Sequence, residues 1–160
     1  MNKIDKDLID KSLSLRRISK KQLKKISTKK PKKIDLLFQT AHKKEFQKRD
    51  CLECANCCKT TSPIFRDTDI NRISLHLRIK EQKFIENELF LDSDNDYVLK
   101  QSPCSFLNED NTCNIYSVRP LACREYPHTN RKNMHQIIDL TIKNSTICPG
   151  VASIVSKIIK

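Results

Sequence analysis

The chain has 160 residues and carries 31 Lys and Arg against 19 Asp and Glu, so its formal net charge is +12. This length suits one ordinary domain, and a hydrophobic content of 38% without any Trp predicts a small core. The one glycine, Gly150, excludes P-loops and dinucleotide-binding fingerprints, because both need several glycines.

The charge divides the sequence into two parts. Residues 1–50 contain 17 Lys and Arg against 6 Asp and Glu, whereas residues 51–160 contain 14 against 13 and all eight cysteines. We therefore predict a basic extension at residues 1–49, helical or partly disordered, and a cysteine-cluster metal-binding domain at residues 50–160. A basic segment of this kind could contact nucleic acid or another acidic partner.

Helical spacing of apolar residues runs through residues 1–30, and Pro31 within a lysine run interrupts it. A second helix is predicted over residues 34–49. No uncharged run approaches the roughly 20 residues of a membrane span, and no apolar stretch near the start resembles a secretory signal. We therefore expect a cytoplasmic protein whose cysteines stay reduced.

Short elements are predicted through the cysteine-containing part. Asp67 or Thr68 is expected to cap a helix with Ile70, Ile73 and Leu77 on one face. A second short helix over residues 81–90 and a short strand at residues 97–99 follow. A last helix is expected around residues 151–159.

A polar turn at residues 108–112 predicts a hairpin or knuckle that brings Cys104 close to Cys113. Pro120 suits the first turn of a helix that carries Cys123. The predicted fold class is therefore a small α+β protein, mainly helical with short strands or knuckles, whose cysteine-cluster domain is organised by metal.

The cysteines are clustered far beyond chance. Cys51, Cys54 and Cys57 are three residues apart, and Cys58 is adjacent to the third. A two-residue gap lets both sulfurs of a pair reach one metal, as in zinc and iron–sulfur sites. In a reducing compartment such clusters indicate metal ligands more than disulfides. Four further cysteines complete the candidate ligand set: Cys104, Cys113, Cys123 and Cys148.

Eight thiolates suffice for two tetrahedral sites, or for one site with additional thiols. Thiolate ligands suit zinc and iron equally, so mononuclear sites and an iron–sulfur cluster both remain open. Adjacent side chains diverge, and we therefore expect Cys57 and Cys58 to ligate different ions, or different irons of one cluster. Arg119 and Arg124 flank Cys123 and could donate to metal-bound sulfurs, although ordinary salt bridges are an equal alternative.

These motifs resemble a bacterial cysteine-cluster family whose domain is described as zinc- or iron-chelating. The resemblance covers about residues 50–150 and rests on CLECANCC (51–58), PCSFLNEDNTCNIY (103–116), RPLACREYP (119–127) and CPG (148–150). It implies metal chelation by clustered cysteine thiolates. The basic residues 1–49 lie outside it.

Two alternatives to simple chelation follow. The same domain occurs in flagellin lysine N-methylases, which implies an iron–sulfur redox or protein-modification enzyme, or an accessory to one. Those chains are much longer, and this sequence has no recognisable S-adenosylmethionine loop, so methylation itself is not carried over. The second alternative is a metal-stabilised nucleic-acid-binding module that uses the basic N-terminal arm.

Overall fold

The computed structural model describes residues 1–29 and 31–160, and these residues divide into two compact units. Unit 1 comprises residues 1–53 and 127–160, and unit 2 comprises residues 54–126. The described part of the chain is mostly helical with one two-stranded sheet, which is consistent with the predicted α+β class. No helix within these residues combines the length and apolar character of a membrane span.

Unit 1 is an assembly of helices from both ends of its sequence. Its long helices are α1 (Lys3–Ser14), α2 (Arg16–Lys29), α3 (Pro31–Phe46), α9 (Ile138–Ser145) and α10 (Pro149–Ile158), with a 3-10 helix at Met134–Ile137. Pro31 begins α3, in agreement with the fixed backbone angle that suits proline to a first helical turn. The predicted helix over residues 34–49 therefore starts three residues earlier and ends at Phe46.

The core of unit 1 joins residues that are far apart in the sequence. Its fully buried side chains come from α2, α3, the 3-10 helix, α9 and α10: Leu23, Ile34, Phe38, Met134, Ile138, Ile142, Val151, Ile154 and Val155. The described residues of 1–49 are thus largely helical, and their apolar stripe packs against the C-terminal helices. The domain boundary at residue 50 stays a prediction.

A buried charged network also holds unit 1 together. Glu45 on α3 accepts hydrogen bonds from Ser153 Oγ (2.7 Å) and Lys157 Nζ (2.8 Å) on α10, and from Arg49 Nε (3.2 Å). Arg49 Nη1 also lies 2.6 Å from the buried carboxylate of Asp5 on α1. Burial raises the pKa of Glu45, but these donors outweigh burial and hold that pKa below its ordinary value. The network therefore ties α1 and α10 to the end of α3.

Unit 2 contains the predicted short elements. Its helices are α5 (Asn56–Thr60), α6 (Asp67–Leu77), α7 (Glu81–Glu88) and α8 (Leu121–Glu125), and the one-turn helix α4 (Cys51–Cys54) precedes them across the division between the units. Strand β1 (Leu89–Leu91) pairs antiparallel with β2 (Tyr97–Leu99), so that Leu89 faces Leu99 and Leu91 faces Tyr97. A 3-10 helix occupies Tyr116–Val118.

Two boundaries in unit 2 differ from the sequence-based expectation. The residue that precedes α6 and occupies its N-cap position is Arg66, not Asp67 or Thr68, and its backbone N–H donates to Asp69 Oδ2 at 3.2 Å. Helix α7 ends at Glu88 because the following three residues pair with β2 as a strand. The core beneath these elements is Phe65, Ile70, Ile73, Phe84, Leu89, Leu99, Phe106 and Ile115.

Candidate metal centre

The hairpin between Cys104 and Cys113 is the backbone frame of the candidate site. Leu107 and Cys113 form an antiparallel bridge, and the N–H of Asn108 donates to the Thr112 carbonyl oxygen at 2.9 Å. Asn111 adopts a left-handed conformation with φ 67°, which asparagine tolerates better than most residues. The predicted turn at residues 108–112 is therefore confirmed.

Backbone N–H groups donate hydrogen bonds to both sulfurs of the hairpin, those of Cys104 and Cys113. Burial raises the pKa of Cys104, while the N–H groups of Phe106 and Leu107 donate to its sulfur and partly offset that rise. Burial likewise raises the pKa of Cys113, and the N–H of Ile115 donates to it. Hydrogen bonds of this kind favour a thiolate over a thiol, and a thiolate is the form that binds metal.

The Cys57–Cys58 pair is joined to this hairpin by the backbone. The N–H of Cys104 donates to the carbonyl oxygen of Cys58 at 2.8 Å, and the two adjacent sulfurs lie 4.0 Å apart. A hydrogen bond from Cys57, with a smaller contribution from the charge of Lys59, lowers the pKa of Cys58 to about 7 despite its burial. Cys58 is therefore partly a thiolate at neutral pH. Whether Cys57 and Cys58 ligate different ions stays a prediction.

Cys123 on α8 belongs to the same electrostatic group. Burial, together with the charges of Cys58, Cys104 and Cys113, raises the pKa of Cys123 to about 12. The same sulfurs act on one another, since Cys58 also raises the pKa values of Cys104 and Cys113. Four thiols from three separate segments therefore lie close enough to repel each other as thiolates, and a cation among them would remove that repulsion.

The remaining cysteines are distributed over both units. Cys54 and Cys57 belong to unit 2, whereas Cys51 and Cys148 belong to unit 1. Cys51 is exposed, and Cys148 is partly buried against the unit 1 core at the start of α10. Across residues 1–29 and 31–160, no three His, Cys, Asp or Glu side chains already surround a common point as ligands would. The assignment of all eight cysteines as ligands stays a prediction.

The two predicted arginines have different surroundings. Arg119 places its guanidinium 3.9 Å from the centre of the Tyr116 ring and donates to the Tyr116 carbonyl oxygen at 2.6 Å. Its charge lowers the pKa values of both Cys113 and Cys123, so it lies within electrostatic range of these sulfurs. Arg124 is exposed on α8. The proposed contact of either arginine with metal-bound sulfur stays a prediction.

Sequence reasoning missed a clamp that holds the segment before α8. The Asp69 carboxylate on α6 is 1% exposed and accepts hydrogen bonds from Arg72 Nη2 (2.5 Å), Leu121 N (3.1 Å) and Arg66 N (3.2 Å). Arg72 in turn donates to the carbonyl oxygens of Val118 (3.2 Å) and Arg119 (3.0 Å). The clamp therefore fixes the residues that place Cys123. Its only sequence signal, an acid three residues before an arginine, is equally typical of an exposed helix surface.

Residues 50–149 match the CxxCxxCC family, which is described as a putative zinc- or iron-chelating domain. The chain belongs to this family. The match confirms the resemblance seen in the motifs, and the sequence from Cys51 to Cys148 lies inside it. No curated protein and no solved structure matches the chain.

Membership of the CxxCxxCC family makes metal binding the general property of this domain. The donor chemistry of unit 2 fits that property, because thiolates assisted by N–H donors are ligands for both zinc and iron. As thiolates these four groups would repel one another, and a bound cation would remove that repulsion.

Proposed function

We propose that this protein binds zinc or iron through the cysteine thiolates of unit 2, with Cys58, Cys104, Cys113 and Cys123 as one ligand set. The observation that carries the proposal is that Cys58, Cys104 and Cys113 all lie close enough to Cys123 to raise its pKa. Four thiolates are the number that closes a tetrahedral zinc site, and they also suit an iron–sulfur cluster.

Each ligand is supplied by an element with its own support. The hairpin carries Cys104 and Cys113, and the backbone hydrogen bond from Cys104 to Cys58 fixes the Cys-Cys segment beside it. Helix α8 carries Cys123, and Asp69 and Arg72 hold the residues before it. A zinc ion would supply a structural crosslink between these segments, and an iron–sulfur cluster would also supply electron transfer.

Arg119 would balance part of the charge of such a site. Four thiolates around one divalent ion leave a net charge of about −2. Arg119 lies within electrostatic range of Cys113 and Cys123 and lowers the pKa values of both, so a positive charge is already placed to offset the excess. Its guanidinium is held by Tyr116 and need not be ordered when metal binds.

We extend the proposal of metal ligation to all eight cysteines. This assignment places Cys57 and Cys58 on different ions, as predicted from the sequence; their sulfurs lie 4.0 Å apart in the structure. The other four cysteines are Cys51, Cys54, Cys57 and Cys148. Two mononuclear sites and one site with extra thiols differ in the number of metal ions bound per chain.

Metal content and spectrum of anaerobically purified protein test the proposal. Absorption near ~400 nm with iron and sulfide indicates a cluster, whereas colourless protein with zinc and four sulfur neighbours at about 2.3 Å in X-ray absorption indicates a structural site. Cys104→Ser should lose about one metal site, whereas Ser117→Ala, at an exposed position of the same unit, should retain the full content. Protein that takes up neither metal, or a Cys104→Ser variant with unchanged content and sulfur count, would refute the assignment.

A chelator provides an independent test, because the unfolding of unit 2 can be followed separately. The chain has no Trp, and its three tyrosines, Tyr97, Tyr116 and Tyr126, all lie in unit 2. A metal that crosslinks three segments should contribute several kcal/mol to the stability of that unit. We therefore expect a strong chelator to lower the midpoint of the thermal transition reported by tyrosine near-ultraviolet circular dichroism. An unchanged midpoint in protein shown to be metal-free would contradict a structural role.

A further inference from the structure

The basic residues and the buried residues of helix α2 lie on opposite sides of the helix. Leu23 is fully buried in the unit 1 core, and Ser19 and Ser27 on the same side are 4% and 6% exposed. Arg17, Lys21 and Lys25 are exposed and follow one another at i, i+4 and i+8 on the opposite side. The whole segment from Lys11 to Lys33 contains eleven Lys and Arg and no acidic residue. The side of α2 opposite the core is therefore a row of cations.

Lysines along one edge of α2 form ion pairs, whereas the outer row of Arg17, Lys21 and Lys25 forms none with residues 1–29 and 31–160. Lys20 Nζ and Lys24 Nζ lie 3.0 and 3.3 Å from the carboxylate of Asp139 on α9. Within the described part of the chain, Arg17, Lys21 and Lys25 have no carboxylate within 4.0 Å. The ion pairs with α9 thus leave the outer row directed to solvent.

A loop from the C-terminal part of unit 1 adds two cations beside α3. Asp35 accepts hydrogen bonds from the N–H groups of Asn133 (2.9 Å) and Met134 (2.8 Å), and Gln39 Nε2 donates to the Arg131 carbonyl oxygen at 3.4 Å. These bonds hold the exposed Arg131 and Lys132 next to the first turns of α3. The 3-10 helix Met134–Ile137, which directly follows this loop, packs against both α2 and α3.

Like charges held this close repel each other. Positions i and i+4 are about 6 Å apart along a helix, which is inside the Debye length of about 8 Å at physiological salt. Each like-charge pair at this spacing costs a few tenths of a kcal/mol, and a bound polyanion would reverse the sign of that energy. Because the cations come from a packed helix and a fixed loop, their positions do not have to be ordered on binding.

We propose that this basic face binds the phosphate backbone of double-stranded nucleic acid without sequence preference. The basic face comprises two groups of exposed cations in unit 1: Arg17, Lys21 and Lys25 on α2, and Lys32, Arg131 and Lys132 near the start of α3. Cations that contact phosphates supply non-specific affinity and carry no base readout. The binding surface belongs to unit 1 and is separate from the cysteines of unit 2, so it goes beyond metal chelation.

The side chains of unit 1 favour a duplex over other polyanions. Its Phe, Tyr and Trp residues are Phe38, which is fully buried, and the half-buried Phe46, so the basic face has no aromatic platform on which single-stranded bases stack. Among the described side chains of α2, Leu23 and Ile26 pack in the core and Ile18 is the one exposed apolar side chain, so the helix has no continuous apolar face to insert into a lipid surface. What remains is an array of cations alone, which matches the regular charge of a duplex backbone.

Fluorescence anisotropy of the full chain with labelled duplexes of about 20 base pairs tests the proposal. Three double variants remove two charges each: K21Q/K25Q on α2, R131Q/K132Q on the loop, and the control K80Q/K83Q at exposed positions of unit 2. We expect the first two to weaken binding and the control to leave it unchanged. Each lost phosphate contact lowers the magnitude of the slope of the logarithm of the binding constant against the logarithm of salt concentration by about 0.9. In each of the first two variants, the loss of affinity between about 50 and about 200 mM salt should therefore be roughly tenfold smaller than in the wild type.

Duplex DNA and duplex RNA are measured in parallel, because both offer the same phosphate chemistry. Single strands, polyglutamate and phosphatidylserine vesicles serve as competing anions. Absence of duplex binding at about 50 mM salt would overturn the proposal. Equal loss in the control variant, or tighter binding to single strands, polyglutamate or vesicles than to duplexes, would overturn it as well. Far-ultraviolet circular dichroism verifies that each variant, altered only at exposed positions, retains its helices.

Discussion

Replacing Asp69 with asparagine should destabilise unit 2 and loosen the segment that carries Cys123. The substitution preserves the size of the side chain but removes the charge that Arg72 neutralises at 2.5 Å. An amide can accept fewer of the three donors that now converge on the carboxylate from Arg72, Arg66 N and Leu121 N. The N–H of Leu121, at the first residue of α8, then loses part of its anchor.

The substitution should lower the free energy of unfolding of unit 2 by about 2–3 kcal/mol. Breaking a fully buried ion pair costs about 3–5 kcal/mol, and hydrogen bonds to a charged group are worth about 1.5–3 kcal/mol each. Asp69 is buried, but the Arg72 side chain is 31% exposed and can recover part of its solvation from water, which lowers the total. For a unit of this size, such a loss corresponds to a fall of about 10–20 °C in melting temperature.

Tyrosine near-ultraviolet circular dichroism measures the effect, since Tyr97, Tyr116 and Tyr126 report on unit 2 alone. The matched control is Asp94→Asn, which makes the same chemical change at an exposed turn position and should alter stability by less than about 0.5 kcal/mol. Asp69→Asn should also reduce metal affinity more than the control, because Cys123 is placed by the clamped segment. Equal melting temperatures for the two variants would refute the clamp.

The difference between wild type and Asp69→Asn should also depend on pH. Burial raises the pKa of Asp69, but the hydrogen bonds from Arg72, Arg66 N and Leu121 N outweigh it, so the folded-state pKa lies below the ordinary 3.8. A carboxylate with a lowered pKa contributes stability above its unfolded pKa and loses that contribution as pH falls through the folded value. The wild-type advantage should therefore be complete above about pH 5 and shrink at lower pH. An advantage that grows on acidification would show that burial, not pairing, dominates at Asp69.

Unit 1 allows two further predictions, both read by far-ultraviolet circular dichroism during thermal unfolding. Leu23→Ala should lower the free energy of unfolding by about 2–5 kcal/mol, because the Leu23 side chain is fully buried. The control Leu36→Ala, at a 64% exposed position of α3, should lower it little. Equal effects of the two substitutions would show that α2 does not pack on the core. Glu45→Gln should lower the free energy of unfolding by about 1–3 kcal/mol, because its hydrogen bonds to Ser153, Lys157 and Arg49 become weaker. The control Glu125→Gln, at an exposed position, should change it little. An unchanged stability of Glu45→Gln would mean that the charged network adds no net stability.

Sequence patterns predicted local features well and tertiary ones poorly. Helix α6 and the turn between Cys104 and Cys113 follow from apolar spacing and turn residues, and both are present in the structure. Helix α9 was missed, because its eight residues IDLTIKNS include β-branched and polar types with weak helix preference, and packing against α2 and α10 stabilises it instead.

The candidate site shows the same division. Cysteine spacing identified the motifs and the family, since sulfur ligands are rare and their positions are visible in the sequence. The Asp69–Arg72 clamp could not be found in this way, because its targets at Val118, Arg119 and Leu121 lie about fifty residues away. The burial of Leu23 was equally hidden, since a lysine-rich segment with a thin apolar stripe resembles a solvated tail until its partner helices are known.

Unit 1 is formed by two separate segments, residues 1–53 and 127–160, and this affects how it folds during protein synthesis. The partners of Leu23 on α9 and α10 are translated after unit 2, so α2 must wait for them while all of unit 2 emerges from the ribosome. At about 5–20 residues per second, that delay lasts roughly 5–20 s. During this interval the part of the α2 apolar stripe that α9 and α10 cover is exposed, and the mutual repulsion of the α2 lysines would keep nascent chains from associating through it.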